Sequence, residues 1–232
     1  MDFTVWQKYL SYKDINDYLR LKDIVYAVAG QKTSTIAIEA ASERLRKFIN
    51  KNLSEEVILK GAAEAFHGGW RRVKLYFMLG LPFETDEDIE GIGALCNNVA
   101  MTFFDEIPKE ERREPVQIVA STSFFIPKPF TPLQWAPMGT GEEFVRKAHV
   151  CLNGIHSQLN QKRIKYNWHD TDTSELEGIL ARGDRRLGPV ILEVYRRGQI
   201  FDAWTEYFDY SVWRKVMDEM GIDRDFYTTR AR

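Results

Sequence analysis

The chain has 232 residues, of which 44% are hydrophobic and 28% charged, and its formal net charge of −2 gives no basic footprint for binding nucleic acid. This length suits one large domain or one domain with an appendage, and no apolar run approaches the roughly 18 residues of a membrane span. With only two cysteines, Cys96 and Cys151, and first residues that do not resemble a secretory signal, disulfides are not expected and a cytoplasmic location is predicted.

The first part of the chain is predicted to be helical, and the middle to alternate between strands and helices. Residues 1–32 carry apolar side chains at helical spacing, which predicts one or two amphipathic helices. Three β-branched or apolar runs then predict strands at 33–39, 73–81 and 116–126. Because helical segments separate these runs, right-handed parallel crossovers are expected, and the fold class is α/β.

Capping residues mark where several helices should begin. Ser42 and Ser54 are predicted N-caps, and Thr85 with Asp88 three residues later has the spacing of a capping box. A long helix is predicted at 142–160, followed by a short strand at 164–168 that suits the edge of a sheet.

The remainder of the chain reads as mostly helical, and a capping box is predicted at Ser174 and Glu177. The predicted organisation is therefore an N-terminal helical segment (1–32), an α/β region (33–170) and a helical C-terminal segment (171–232).

The most informative block runs from Val73 to Glu90. An apolar strand with a single charge, Lys74, leads into the turn Gly80-Leu81-Pro82 and then into the helix capped at Thr85. Such a turn, at the carboxyl end of a parallel strand, is where α/β barrels place their ligands. The block resembles the fifth strand and loop of radical S-adenosylmethionine (radical SAM) enzymes.

The resemblance extends over roughly residues 33–232 and is closest to radical SAM proteins that carry a B12-binding domain. The matching blocks are Thr35–Arg46, Ile49–Lys51, Ser123–Trp135, Leu176–Arg186, Phe201–Trp204 and Gly221–Asp223. The resemblance implies a partial (β/α)6 barrel, of which this chain holds about the back half. In that family a [4Fe-4S] cluster on three cysteines cleaves S-adenosylmethionine to a 5′-deoxyadenosyl radical.

The resemblance also implies cofactor-binding residues. Glu39 and Lys51, with Arg46 as a substitute for Lys51, would face the aminocarboxylate of S-adenosylmethionine. The Gly80-Leu81-Pro82 turn and Ile126, at the end of the next strand, would contact its adenine side. An exposed strand end or a structural salt bridge explains Glu39 equally well, because a buried unpaired carboxylate would be costly.

The chain departs from the family at the cluster. Neither cysteine belongs to a Cys-x3-Cys-x2-Cys loop, and two thiols cannot supply the three ligands that the cluster needs. We therefore expect this chain alone neither to bind the cluster nor to cleave S-adenosylmethionine. It reads as a fragment or truncated relative of a radical SAM enzyme, or alternatively as a non-catalytic binding module on a half-barrel scaffold.

Two further clusters have simpler explanations than a ligand site. His169, Asp170 and Asp172 could bind a metal, but helix capping is the favoured interpretation, so no metal site is predicted. The arginines of Arg182–Arg186 could hold a phosphate, although a solvated helix break accounts for them more simply.

The predicted partners follow from the half-barrel. Its first strand would lack a neighbour, so residues 1–32, a second copy of the chain or a missing N-terminal half should cover that edge. The substrate is not identified by the sequence, no membrane is expected, and nucleic acid is a weak third option.

Overall fold

The structure, a computed structural model, describes residues 33–230. Residues 1–32 and 231–232 lie outside this description. The predicted N-terminal helices, and the prediction that they cover the edge of the first strand, therefore concern residues outside the described part.

Four parallel strands form one sheet in the order in which they occur along the chain. They are β1 (Thr33–Glu39), β2 (Arg72–Leu79), β3 (Gln117–Phe124) and β4 (Ile164–Trp168). The predicted α/β class and parallel pairing are confirmed, and the strands predicted at 33–39, 73–81 and 116–126 begin and end within two residues of the observed ones. The predicted edge strand, β4, pairs with β3 at one end of the sheet.

The two faces of the sheet differ in burial. In β2 the side chains of Val73, Leu75, Phe77 and Leu79 are buried, whereas those between them are half-buried or exposed. In β1 Ile36 and Ile38 are buried in the same alternating way. Successive side chains of a strand point to opposite faces, so helices pack on the face that carries these apolar residues.

Seven α-helices are described, and they lie between and after the strands. They are α1 (Glu43–Phe48), α2 (Glu55–His67), α3 (Asp86–Glu106), α4 (Gly141–His156), α5 (Thr171–Arg182), α6 (Leu187–Arg196) and α7 (Tyr210–Glu219). The predicted N-caps Ser42, Ser54 and Thr85 are confirmed, since each side chain accepts a hydrogen bond from its first turn.

The predicted capping box at Ser174 and Glu177 is wrong. Helix α5 begins at Thr171 because Asp170 is its N-cap and accepts a hydrogen bond from Thr173 N at 2.8 Å. Ser174 is buried inside the helix, where its hydroxyl donates to the Asp170 carbonyl at 2.7 Å. Asp170 therefore caps the helix, as the sequence favoured over metal binding.

Helices α3 and α4 cross where both carry a glycine. A Cβ atom built on Gly154 would lie 2.8 Å from the Glu90 Cα, and one built on Gly93 would meet the Gly154 backbone. No real side chain fits at such separations, so the two backbones come this close only because both residues lack a Cβ.

The described chain divides into two compact units. The first contains residues 33–123 and 147–168, and therefore most of the sheet with α1, α2 and α3. The second contains residues 124–146 and 169–230, and its core is formed mainly by α5, α6 and α7 through Ile179, Val190, Val194, Val216 and Met217. The domain boundaries predicted from the sequence stay a prediction. Within the described residues, every helix is too short or too polar to cross a membrane.

Candidate functional site at the carboxyl edge of the sheet

Several charged and polar side chains of the first unit lie at or just after the carboxyl ends of the strands. At the end of β1, Glu39 has a φ of 72°, a left-handed conformation that is uncommon for a residue with a side chain. The register with β2 shifts between Ala37 and Glu39. Such strained positions concentrate at functional sites, where the surrounding structure holds them.

Glu39 forms an ion pair with Lys51. The resemblance assigned both residues to the aminocarboxylate of S-adenosylmethionine. The Lys51 Nζ and Glu39 Oε1 atoms are 3.6 Å apart, and the two side chains are 37% and 28% exposed. At this distance and exposure the ion pair is loose, because solvent screens it. Both groups can therefore turn from each other to a charged ligand.

Arg46, the predicted substitute for Lys51, donates its hydrogen bonds to backbone carbonyls and does not face Glu39. Its side chain is buried, and its Nε donates to the Leu53 carbonyl at 2.6 Å. Its Nη1 donates to the carbonyls of Ala40, at 3.0 Å, and Ala41. Burial lowers the pKa of the guanidinium from its usual range. Arg46 thus fastens the segment that carries Lys51 to the exit of β1, and Lys51 is the base that faces Glu39.

The turn after β2 is held by a buried ion pair. Gly80 has a φ of 91°, and its N–H donates to Glu84 Oε2 at 2.7 Å. Lys147 of α4 donates to the same oxygen at 2.7 Å, and these two side chains are only 3% (Glu84) and 11% (Lys147) exposed. Burial raises the pKa of Glu84 and outweighs the lowering by Lys147 and the Gly80 N–H.

The internal bonding of this turn limits what it offers to a ligand. The Gly80 N–H is already used, Leu81 is buried at 3% exposure, and Pro82 is half-buried. Phe83 follows with a φ of 64° and is 75% exposed. The surface available to a ligand is therefore that of Pro82 and Phe83.

The loops after β1 and β2 are joined through Arg44 and the capping box of α3. Asp88 accepts hydrogen bonds from Thr85 N, at 2.9 Å, and from Arg44, which also donates to the Phe83 carbonyl at 2.9 Å. Burial alone would raise the pKa of Asp88, but hydrogen bonds from Ser42, Thr85 and Arg44 leave this pKa lowered.

An aromatic contact spans the same two loops. Phe48, at the end of α1, meets Phe83 edge to face, with their ring centroids 5.4 Å apart. This contact and the Arg44 contacts link the Lys51 segment to the Gly80 turn.

A third polar group lies at the ends of β3 and β4. The hydroxyls of Thr122 and Tyr166 share a hydrogen bond of 3.0 Å, and Thr122 is fully buried. Burial raises the pKa of the Cys151 thiol to about 12 and raises those of Cys96 and Tyr166. Both cysteines are thus neutral at physiological pH, and they pack as small buried hydrophobic residues.

Sequence reasoning missed Lys147 and Tyr166. Lys147 follows Phe144 by three residues and precedes Cys151 by four, and both neighbours are buried. A lysine on the apolar stripe of a helix needs an acidic partner, and this signal could have identified it. Tyr166 gave no comparable signal within its short strand.

Ile126 does not belong to the same unit as the other predicted residues. It is half-buried and follows β3 in the second unit, whereas Glu39, Lys51 and the Gly80 turn lie in the first. The described residues contain no group of three or more His, Cys, Asp and Glu side chains placed to hold a metal ion.

One curated relative is similar to most of this chain. It is an uncharacterized protein of Methanocaldococcus jannaschii, 31% identical over 207 residues that cover 85% of this chain and 43% of that protein. The chain thus spans less than half the length of this relative. No family model and no solved structure matches the chain.

Proposed function

We propose that this chain forms about half of a radical SAM barrel and binds the aminocarboxylate of S-adenosylmethionine at the carboxyl edge of its sheet. The observation that carries the proposal is the pairing of Glu39 with Lys51, 3.6 Å apart, beside the loop that follows the next strand. The resemblance independently assigns both residues to this group of the cofactor.

The sheet topology supports the barrel part of the proposal. The strands lie in the order β1-β2-β3-β4 and pair in parallel. Right-handed crossovers that always step in the same direction place every connecting helix on one face. This singly wound order is the one found in α/β barrels, whereas doubly wound sheets reverse direction and carry helices on both faces. A half-barrel is therefore the arrangement that we favour.

The chemistry of the pair fits the ligand. The Glu39 carboxylate can accept hydrogen bonds from an α-ammonium group, and the Lys51 ammonium can donate to an α-carboxylate. Because the two side chains are charged and partly exposed, they need only exchange one weak ion pair for two charge-assisted hydrogen bonds. The half-buried Pro82 and exposed Phe83 supply an apolar surface near them for the remainder of the molecule.

The residues of the chain do not fit the iron–sulfur cluster. Its only two cysteines, Cys96 and Cys151, are buried within helices α3 and α4, and burial raises both thiol pKa values. A cluster needs exposed thiolates that converge on one site. Cleavage of S-adenosylmethionine would therefore need cluster ligands from another polypeptide segment.

The proposal predicts that the chain binds S-adenosylmethionine through Glu39 and Lys51. In isothermal titration calorimetry, Glu39→Gln and Lys51→Met should each weaken binding about tenfold, since each removes one charge-assisted contact of about 1.4 kcal/mol. The matched control replaces Glu43 and Lys47, an exposed pair on α1 whose charged atoms are 2.7 Å apart. Control variants should bind as the wild type does. Absence of binding by the wild type at millimolar ligand, or an equal loss in the controls, contradicts the proposal.

A second prediction concerns the cluster. Purified chain treated with iron and sulfide under reducing conditions should show no [4Fe-4S] absorption and release no 5′-deoxyadenosine, since three thiolate ligands are lacking. Stoichiometric uptake of a cluster by the monomer would show that this ligand count misjudges the site.

The alternative function is a non-catalytic binding module that keeps the half-barrel as a recognition surface. The same ligand count favours it for the chain by itself. The two predictions separate the cases: binding of S-adenosylmethionine identifies a cofactor-binding piece, whereas the absence of both binding and cluster uptake leaves the module.

A further inference from the structure

The positively charged residues of the strands all share one face of the sheet. Arg72 and Lys74 alternate with the buried residues of β2, so they lie on the face opposite to the apolar one. The Arg72 Nε donates to Gln117 Oε1 of β3 at 2.8 Å, which places Gln117 on the same face. Val119, two residues later, pairs with Lys165 of β4, so Lys165 is also on that face.

No comparable negative charge balances these residues. Glu39 is the only acidic residue in the four strands, and it pairs with Lys51. Within residues 33–230, Arg72, Lys74 and Lys165 form no ion pair with a carboxylate. The neighbouring side chains on this face are uncharged and largely polar, among them Thr35, Tyr76, Gln117, Ser121 and Asn167.

Lys74 is at the centre of this positively charged sheet face, because β2 is an inner strand. Its Nζ donates to the Tyr76 hydroxyl at 2.6 Å and lies 4.3 Å from the centre of the Tyr76 ring. Lys74 is half-buried, so it has lost part of its hydration without gaining a carboxylate. Such a group is stabilised when an anion binds it.

The separation of Lys74 and Lys165 suits a small ligand. Neighbouring strands lie about 4.8 Å apart, so Lys74 on β2 and Lys165 on β4 are separated by roughly 10 Å across the sheet. Both side chains are long and flexible, and they can converge on a molecule of a few ångströms that carries more than one negative group.

We propose that this face binds a small molecule with two or more phosphate or carboxylate groups, with Lys74 as the central contact, Arg72 two residues before it on β2 and Lys165 two strands away on β4. Tyr76 holds the Lys74 ammonium in place and can donate its own hydroxyl proton to the ligand. The inference uses only strand register and charge, so it does not rest on the binding of S-adenosylmethionine.

The experiment titrates the chain with two probes, inorganic pyrophosphate and citrate, by calorimetry at low salt. Pyrophosphate, citrate or both should bind, and the probe that binds more tightly identifies phosphate or carboxylate as the preferred group. Lys74→Met and Lys165→Met should each weaken binding at least fivefold, whereas Lys74→Arg, which keeps the charge, should weaken it less than Lys74→Met. The matched control is Lys162→Met, which removes an exposed lysine just before β4.

The outcomes separate this inference from its competitors. A circular dichroism spectrum and unfolding midpoint close to those of the wild type show that a variant is folded. Binding of neither probe overturns the inference, as does an equal loss in Lys162→Met. Tight binding of single-stranded RNA without binding of either probe also overturns it, in favour of a nucleic-acid surface.

Discussion

Replacing Arg46 by methionine is expected to lower the free energy of unfolding by about 3 kcal/mol. Arg46 is 1% exposed, and its guanidinium donates to the carbonyls of Ala40, Ala41 and Leu53. Methionine fills much of the same volume but leaves these carbonyls without their donor, and a buried acceptor without a partner costs about 1–3 kcal/mol. Urea unfolding followed by circular dichroism measures the loss.

The control for this prediction is Lys47→Met, on the same short helix. Lys47 has a 70% exposed side chain that forms an ion pair with Glu43, so its loss should change stability by less than about 0.5 kcal/mol. Arg46→Lys keeps the charge without the planar fork and should fall between the two. If Arg46→Met proves as mild as the control, then the buried hydrogen bonds are not what fixes the exit of β1.

Removing one partner of the Glu84–Lys147 pair is expected to destabilise the protein by about 3 kcal/mol, because it breaks a buried, hydrogen-bonded ion pair. Glu84→Gln and Lys147→Met are the single variants. The double variant should lose less than the sum of the two, with a coupling free energy of about 2 kcal/mol, since it buries neither charge. Urea unfolding of all four proteins at pH 7 gives the coupling.

A second measurement ties this pair to the Gly80 turn. The Gly80 N–H donates to Glu84 Oε2 at 2.7 Å, so the Gly80 amide should exchange with solvent faster in Lys147→Met, where Glu84 is no longer fixed. The control for the coupling free energy is the exposed pair of His67 and Glu106, whose side chains are 3.0 Å apart. Its single and double variants should give a coupling free energy below about 1 kcal/mol. Strictly additive effects at Glu84 and Lys147 would argue that the two charges stabilise the fold independently.

The strands and most helix starts could be predicted from the sequence, because they depend on patterns of neighbouring residues. The β-branched run at 33–39 and the apolar run in the Val73–Glu90 block each identify a strand, and the hydroxyls of Ser42, Ser54 and Thr85 each mark a helix start. The prediction failed at α5, where two capping candidates lie four residues apart. Asp170 caps the helix and Ser174 becomes its fourth residue.

The residues of the candidate site could be predicted from the sequence only where they lie close together along the chain. Glu39 and Lys51 are separated by twelve residues and follow one strand, so their meeting could be expected from the resemblance. Glu84 and Lys147 are 63 residues apart, and only the packing of α4 brings them together. Similarly, the common face of Arg72, Lys74 and Lys165 depends on strand register, which no single segment of the chain encodes.

The close approach of α3 and α4 at Gly93 and Gly154 also sets the position of Lys147, which lies about two turns away on α4. Lys147 precedes Gly154 by seven residues, about two turns, so it projects from the same side of α4. Any bulk added at Gly93 or Gly154 would push α4 outward and carry the lysine ammonium away from Glu84. A larger residue at either glycine would therefore weaken the Glu84–Lys147 ion pair without touching either charged side chain.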